Sequence, residues 1–142
     1  MHAARLFFIT LTLNQEKGPA VNDISFEVKH IIEASGIANG TADITVVGST
    51  GSVTTIEHEP GVVNDLKAAV NRLAPPEAVY EHELAWNDGN GHSHVQAALI
   101  GPSIAVPVRD GKARLGTWQQ IVVINHDNRA RKRIVEISLV GA

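Results

Sequence analysis

The stretch from His82 to Gln120 reads HELAWNDGNGHSHVQAALIGPSIAVPVRDGKARLGTWQQ. It holds three of the seven histidines, both tryptophans and the dipeptides Gly101-Pro102 and Val106-Pro107. Histidines and residues of special backbone conformation are seldom concentrated in this way in globular domains. We therefore expect this stretch to carry the functional site, and the rest of the chain to form the scaffold that presents it.

Local patterns within this stretch predict its secondary structure. The pattern predicts a short strand over 77–83 that carries His82, and the NDGNG run over 87–91 must be a loop because several positions suit positive φ. A short helix is expected over 94–100, ending at Gly101. Strands are expected over 104–108 and 115–124, with a hairpin turn at Asp110-Gly111 between them.

The flanking sequence predicts more strands than helices. Partial alternation and β-forming residues indicate strands over 5–13, 42–50 and 134–140, and another through Val53 and Ile56. Helical spacing of apolar residues predicts helices over 23–34 and 62–73. Because strands and helices do not alternate regularly, we expect an α+β fold with mixed, largely antiparallel sheets and about three helices.

The composition limits the class of protein. The 142 residues suit one domain over 1–142, and 44% hydrophobic with 4% aromatic residues predicts an aliphatic core. A formal charge of -3 without a long basic run argues against nucleic-acid binding. Without cysteine, a transition metal would need His and carboxylate ligands. No stretch approaches about 20 apolar residues and no signal peptide is evident, so we expect a cytoplasmic protein that makes no membrane contact.

Three histidines are candidates for a metal site. Residues i and i+2 point the same way on an extended backbone, so His92 and His94, which follow the loop, can share one ion. His82 can supply a third nitrogen, and three histidines with an open position are typical of catalytic zinc. The alternative is that one histidine caps or packs against the helix while the others are exposed.

The run GSTGSVTT over 48–55 is small and rich in hydroxyls. Ser49, Thr50 and the backbone N–H groups there could cradle an anion, or the run could simply be a tight loop entering a strand. Carboxylates follow at Glu57, Glu59 and Asp65. Such groups can bind Mg²⁺ or act as a general base on metal-bound water, or they can be solvated surface residues.

Four further side chains are candidates for binding substrate. Ser103 follows a Gly-Pro pair and could hold a phosphate oxygen. Trp118 could stack on a ring, although core packing is the commoner role, and Gln119 could contact a heterocycle or a phosphate. The only basic cluster is 127–133, where Arg131 is suited to bidentate phosphate contact if the run is not simply a solvated turn.

An ordered set of motifs carries a family resemblance. Asn90 with His94, then Gly101-Pro102-Ser103, a Val-Pro pair and LGTWQ over 115–119 resemble the YjbQ family, from about residue 20 to the C-terminus. That family is described as secondary thiamine-phosphate synthase. The resemblance implies its α+β fold, a homotrimer with sites near subunit boundaries, and a phosphorylated small-molecule substrate.

The resemblance also assigns roles to individual residues. It favours His82 and His94 over His92, which resembles a subgroup feature, and it matches Asn90 and Arg131 to phosphate-binding positions. Glu57 and Glu59 compete for the family's first carboxylate, and Asp65 fits its second. One departure concerns 48–50, where most of the family has His-Thr-Thr and this chain has Gly-Ser-Thr. The ligand set differs here, or Ser49 or Thr50 replaces that histidine.

Functions from different classes are compatible with these residues. The resemblance implies a thiamine-phosphate synthase-like enzyme, which joins a pyrimidine pyrophosphate to a thiazole phosphate and releases pyrophosphate. Glu57, Asp65 and His94 would be its catalytic groups and a divalent metal, zinc or Mg²⁺, its cofactor. A metal-assisted hydrolase using the same histidines is a variant. The alternative is a non-catalytic homotrimer that binds metal or an anion. Co-location of Glu57 or Asp65 with His94 would favour catalysis, and dispersion would favour binding.

Overall fold

The computed structural model describes residues 3–142, which form eight strands and four helices. In chain order they are β1 Arg5–Gln15, β2 Ala20–Asp23, α1 Ser25–Ser35, β3 Gly40–Val47, β4 Gly51–Ile56, α2 Pro60–Leu73, α3 His82–Ala85, α4 Gly91–Ile100, β5 Ser103–Arg109, β6 Lys112–Ala113, β7 Gln120–Asn125 and β8 Arg131–Gly141. The expected α+β class is confirmed, with one helix more than the sequence predicts.

The strands form two antiparallel sheets. The larger has the order β1-β8-β3-β5-β6 and the smaller the order β2-β7-β4. β1 pairs with β8 along its whole length, from Arg5 opposite Gly141 to Gln15 opposite Arg131. β8 and β3 therefore lie inside the large sheet, and β7 lies in the middle of the small one.

The core is aliphatic, as the composition predicts. Alternate residues of β8 face inward, and Val135, Ile137 and Leu139 are fully buried. They pack in one cluster with inward residues of β3, β5, β7 and α1. Because side chains on a strand alternate between its two faces, the residues that alternate with these buried ones point to the opposite face of the large sheet, where Ile134 and Val140 are exposed.

Helix boundaries follow local chemistry. Gly36 ends α1 in a left-handed conformation at φ 70°, which a residue with a Cβ rarely adopts. α2 begins with Pro60 as its first residue, and the Glu59 carboxylate accepts the N–H groups of Gly61 and Val62. Hydrogen bonds to these two N–H groups lower the pKa of Glu59, so this carboxylate serves as a helix cap.

Two predicted strands are corrected. The segment over 77–83 forms turns and enters α3, because the N–H groups of Glu83 and Leu84 bond the carbonyls of Tyr80 and Glu81 in helical turns. Residues 115–119 precede β7 as a turn, in which Gly116 N–H donates to Oε1 of Gln119 and Gln119 N–H donates to Gly116 O. Among residues 3–142, no helix is long and apolar enough to cross a bilayer.

Candidate metal-binding site

Three side chains converge beside the N-terminal end of α4. His82 begins α3, Asp88 lies in the loop between α3 and α4, and His94 lies near the start of α4. One ligand atom from each lies within 4.8 Å of the other two. No other group of three such ligands occurs in the part of the chain that the structure describes.

The spacing of these atoms suits a small cation. A tetrahedral zinc ion with bonds of about 2.0–2.1 Å to nitrogen and oxygen holds its ligand atoms about 3.3 Å apart. His82 Nε2 and Asp88 Oδ1 are 3.1 Å apart, and the His82 and His94 ring centroids are 4.6 Å apart. The three ligand atoms, which lie within 4.8 Å of one another, are therefore within about 1.5 Å of the separations that a shared zinc ion requires.

The loop that carries Asp88 is held by its own hydrogen bonds. Asn87 and Gly89 have positive φ values of 47° and 75°, which asparagine and glycine tolerate. The Glu83 carboxylate accepts the N–H groups of Gly89 and Gly91, at 2.7 and 3.0 Å. Asp88 accepts the N–H of Asn90 at 3.0 Å. That bond, followed by the proximity of His82, lowers the pKa of Asp88, so it is a carboxylate at neutral pH.

The orientation of His94 is set by a backbone carbonyl. Its Nδ1 lies 3.3 Å from the carbonyl oxygen of Ser49 in the turn between β3 and β4. Because a carbonyl only accepts, Nδ1 carries a proton, and Nε2 is the ring nitrogen that remains for a metal ion. Metal-binding histidines commonly donate their other N–H to a carbonyl or carboxylate in this way.

His92 does not join this group, which corrects its expected role as a third nitrogen ligand. The extended backbone assumed for the pair is absent because α4 begins at Gly91, and residues i and i+2 on a helix point about 200° apart. The His92 ring is buried beside Tyr80, and its Nε2 is 3.2 Å from Ser93 Oγ. Burial lowers the pKa of His92. Asp88 therefore takes the place that the sequence assigned to His92.

A buried carboxylate organises the cationic side of the site. Asp127 is fully buried and accepts hydrogen bonds from Thr50 Oγ1 at 3.0 Å, Arg131 Nε at 2.9 Å and Asn90 Nδ2 at 3.2 Å. Burial alone would raise the pKa of Asp127, but these bonds outweigh burial and lower it. Asp127 therefore stays ionised and holds Arg131 at the edge of the site.

Two of the predicted phosphate contacts belong to this internal network. Thr50 Oγ1 accepts from Arg133 Nη2 at 2.6 Å while it donates to Asp127. The side-chain oxygen Oδ1 of Asn90 accepts hydrogen bonds from Ser93 Oγ and from the N–H of Asn128. Both side chains are buried, so their polar groups position the site rather than project from it.

Arg131 and Ser49 remain at the surface of the cleft. Arg131 is 44% exposed, and among residues 3–142 its only side-chain hydrogen bond is the one from Nε to Asp127. Its terminal nitrogens therefore bond no acceptor in the part of the chain that the structure describes. The cleft has a volume of about 280 Å³ and is lined by Gly48, Ser49, Thr50, Asp88, Asn90, His94, Asp127, Arg131 and Arg133.

Besides His82 and His92, five predicted site residues do not line this cleft. Trp118 and Gln119 precede β7, and Asp127 follows its other end. The strand from Gln120 to Asn125 spans about 17 Å at roughly 3.4 Å per residue, so it separates these two side chains from Asp127. Trp118 is 72% exposed, so the expected core packing is wrong, and Gln119 donates to Thr55 Oγ1. Glu57, Asp65 and Ser103 are exposed and do not line the cleft.

Sequence reasoning missed Asp88 and did not select Asp127. The signal for Asp88 was its position midway between His82 and His94, six residues from each, in a loop that must fold tightly. No local signal marks Asp127, because its role depends on partners in the turn before β4, in the loop before α4 and at the start of β8.

Comparisons with known proteins give a consistent match. The family model described as "UPF0047 protein YjbQ-like" matches residues 9–142. A UPF0047 protein of Methanothermobacter thermautotrophicus is 33% identical over 92% of this chain and 90% of its own. UPF0047 protein YugU of Bacillus subtilis is 31% identical over 93% and 98%.

Solved structures agree with these sequence matches. The crystal structure of a "YbjQ-like protein of unknown function" from Sulfolobus solfataricus has a TM-score of 0.94 at 30% identity, covering 99% of this chain and 100% of that one. An uncharacterized protein of the yjbq/upf0047 family from Clostridium acetobutylicum has a TM-score of 0.85 at 30% identity, covering 92% and 98%.

The comparisons correct the expected activity. The similar proteins are described as UPF0047 proteins or as proteins of unknown function, and nothing among them supports thiamine-phosphate synthase activity. The prediction of that activity is therefore wrong on these findings. The dispersion of Glu57 and Asp65 away from His94 also removes the carboxylates that it assigned to catalysis.

Proposed function

The chain belongs to the UPF0047 (YjbQ-like) family, and from that premise we propose that it binds a divalent metal through His82, Asp88 and His94. The metal and Arg131 together bind the anionic group of a phosphorylated small molecule. The observation that carries the proposal is the convergence of three ligand atoms within 4.8 Å at the edge of a cleft.

The donor set supports a transition metal. Two imidazoles and one carboxylate suit zinc, and the same set with open positions also binds Fe(II). Mg²⁺ prefers oxygen ligands, so zinc fits this site better than Mg²⁺. Three protein ligands leave a coordination position open to the cleft, where an oxygen of a bound anion can complete the shell.

Arg131 supports the anionic half of the proposal. Its Nε is fixed on the buried Asp127, which leaves the two Nη groups in a defined orientation at the cleft. A guanidinium presents a rigid planar fork of donors that matches phosphate oxygens. The exposed Ser49, on the same cleft wall, adds a hydroxyl close to His94.

Calorimetric titration of untagged, chelator-stripped protein with Zn²⁺ tests the metal proposal. We expect one site per chain in the wild type. His94→Ala should weaken zinc binding more than about 100-fold, because loss of outer partners alone weakens metal sites about 10- to 100-fold. His58→Ala, at an exposed histidine outside the cleft, is the matched control and should keep wild-type affinity. A wild-type protein that binds no stoichiometric zinc contradicts the proposal.

We also infer that the chain forms a homotrimer through the outer face of the large sheet. Leu6 and Phe8 on β1 are 56% and 66% exposed, and Val140, opposite Leu6 on β8, is 40% exposed. Ile134 and Val47 form a second exposed apolar patch on this face, separated from the first by Thr10 and Glu136. Burial against other copies removes both patches from solvent.

A further inference from the structure

A second groove adjoins the cleft that holds Arg131. The two share Gly48, Ser49 and His94 as a common wall, so they form one continuous depression. The second groove has a volume of about 300 Å³ and adds Gly51, Ala97, Ala98 and Pro102 to its lining. One end of the depression is therefore polar and charged, whereas the other is lined by methyl groups, backbone and a proline ring.

The apolar groove exists because its walls are small and fixed. Ala97 and Ala98 on α4 present only methyl groups, where larger residues would fill the space. The opposite wall is tied to both sheets, because Pro102 O accepts the N–H of Val46 at 2.9 Å and Gly101 O accepts that of Val53 at 3.1 Å. A groove held in this way is formed before a ligand arrives, as small-molecule sites usually are.

We infer that the ligand of this protein is a phosphate monoester with a short apolar body. The inference rests on the proposed function, since Arg131 and a metal on His94 place the phosphate at the polar end. The ester group then extends past Ser49 and His94 into the groove between Ala98 and Pro102. The volume of about 300 Å³ accommodates a chain of a few carbons or a single ring.

The experiment is calorimetric titration of zinc-loaded protein with inorganic phosphate, methyl phosphate, propyl phosphate and butyl phosphate. A fully buried methylene raises the affinity roughly fourfold. In an open groove a methylene contributes about half of that free energy, which corresponds to about a twofold rise in affinity. We expect affinity to rise about twofold per carbon from methyl to butyl phosphate. Equal affinities for methyl and butyl phosphate overturn the inference.

Ala98→Phe provides the matched variant, because its ring fills the groove although Ala98 itself supplies no metal ligand. Residue 98 lies one helical turn from His94, so the test is the dependence on chain length within the variant, whose affinities for methyl and butyl phosphate should be equal. Ala68→Phe, the same change at an exposed position of α2, should keep the rise with chain length. If the affinity of Ala98→Phe for alkyl phosphates rises about twofold per carbon, as in the wild type, the assignment of the groove is overturned.

The outcomes separate this inference from the proposed function. Zinc-loaded wild type that binds neither inorganic phosphate nor methyl phosphate contradicts the anion site, and the groove assignment falls with it. Binding of inorganic phosphate and methyl phosphate without dependence on chain length leaves the anion site standing and overturns the apolar groove alone.

Discussion

Asp88 and Asp127 are both ionised, but their surroundings give them different roles. Asp88 is partly exposed and faces His82 across 3.1 Å, so its charge is available to a cation. Asp127 is buried, and protein donors occupy both of its oxygens. Asp88 is suited to binding and Asp127 to positioning Arg131, although both lie in connections between regular elements of the chain.

His126 is a buried residue whose tautomer is fixed by its neighbours. Gln96 Nε2 donates to Asn71 and to Ala74 O, so its Oε1 must face His126 Nδ1, 2.9 Å away. Nδ1 therefore carries the proton, and Nε2 accepts from Ser52 Oγ at 2.8 Å. Burial first, and then the nearby Arg133 and His92, lower the pKa of His126 to about 4.

This lowered pKa predicts a loss of stability in mild acid. Between about pH 6.5 and 4 the unfolded chain protonates His126 more readily than the folded chain does, so the free energy of unfolding falls as pH decreases through that range. The His126 contribution lost between pH 7 and 4.5 is about 2 kcal/mol. Urea denaturation at both pH values measures this loss.

The His126→Gln variant is the comparison for that measurement. Glutamine does not titrate, so the difference in unfolding free energy between pH 7 and 4.5 should be about 2 kcal/mol smaller than in the wild type. Each protein is compared with itself at the two pH values, so any constant destabilisation caused by the substitution cancels. Equal differences in the two proteins would show that His126 protonates as easily in the folded chain as in the unfolded one.

At the scale of elements, α4 matters most because it carries His94 and forms part of both grooves. Its start is fixed by Gly91, where an added Cβ would lie 2.4 Å from Cβ of Tyr80. Cβ of Tyr80 is attached directly to the backbone and cannot swing aside. A side chain at Gly91 must therefore displace the start of α4 or the segment that precedes α3.

Gly91→Ala should lower the free energy of unfolding by about 1–3 kcal/mol, the usual cost of overpacking. It should also weaken zinc binding, because displacement of α4 moves His94 relative to His82. Denaturant unfolding and zinc titration measure the two effects. Gly116→Ala, where the added Cβ meets nothing closer than 3.7 Å, should leave both unchanged. Wild-type zinc affinity in Gly91→Ala would show that α4 does not set the site.

Elements with a regular pattern could be predicted from the sequence, and those fixed by distant partners could not. β1, β3 and β8 alternate, and α1 and α2 carry apolar residues at helical spacing, so their positions were predicted within a few residues. The 77–83 and 115–119 segments contain β-forming residues, but turn hydrogen bonds determine their conformation. The pair His82 and His94 was anticipated, whereas the start of α4 at Gly91, which turns His92 away, was not.

At the scale of the whole molecule, the exposed apolar residues on the outer face of the large sheet predict that chains associate with one another. Wild-type protein should have the mass of three chains in light scattering after size-exclusion chromatography. Phe8→Glu places a charge in the apolar patch on β1 and should give single chains, because a buried unpaired carboxylate is strongly disfavoured. Val79→Glu, at a fully exposed position elsewhere, should keep the trimer. A wild-type protein that is monomeric at high concentration contradicts the proposal.

The central claim is that His82, Asp88 and His94 hold one metal ion. The most direct measurement is an anomalous difference map from zinc-soaked crystals, with data collected above and below the zinc absorption edge. We expect one strong peak per chain, about 2.0–2.2 Å from a nitrogen of each histidine and an oxygen of Asp88. Zinc peaks only elsewhere on the surface, with none among these three side chains, would contradict it.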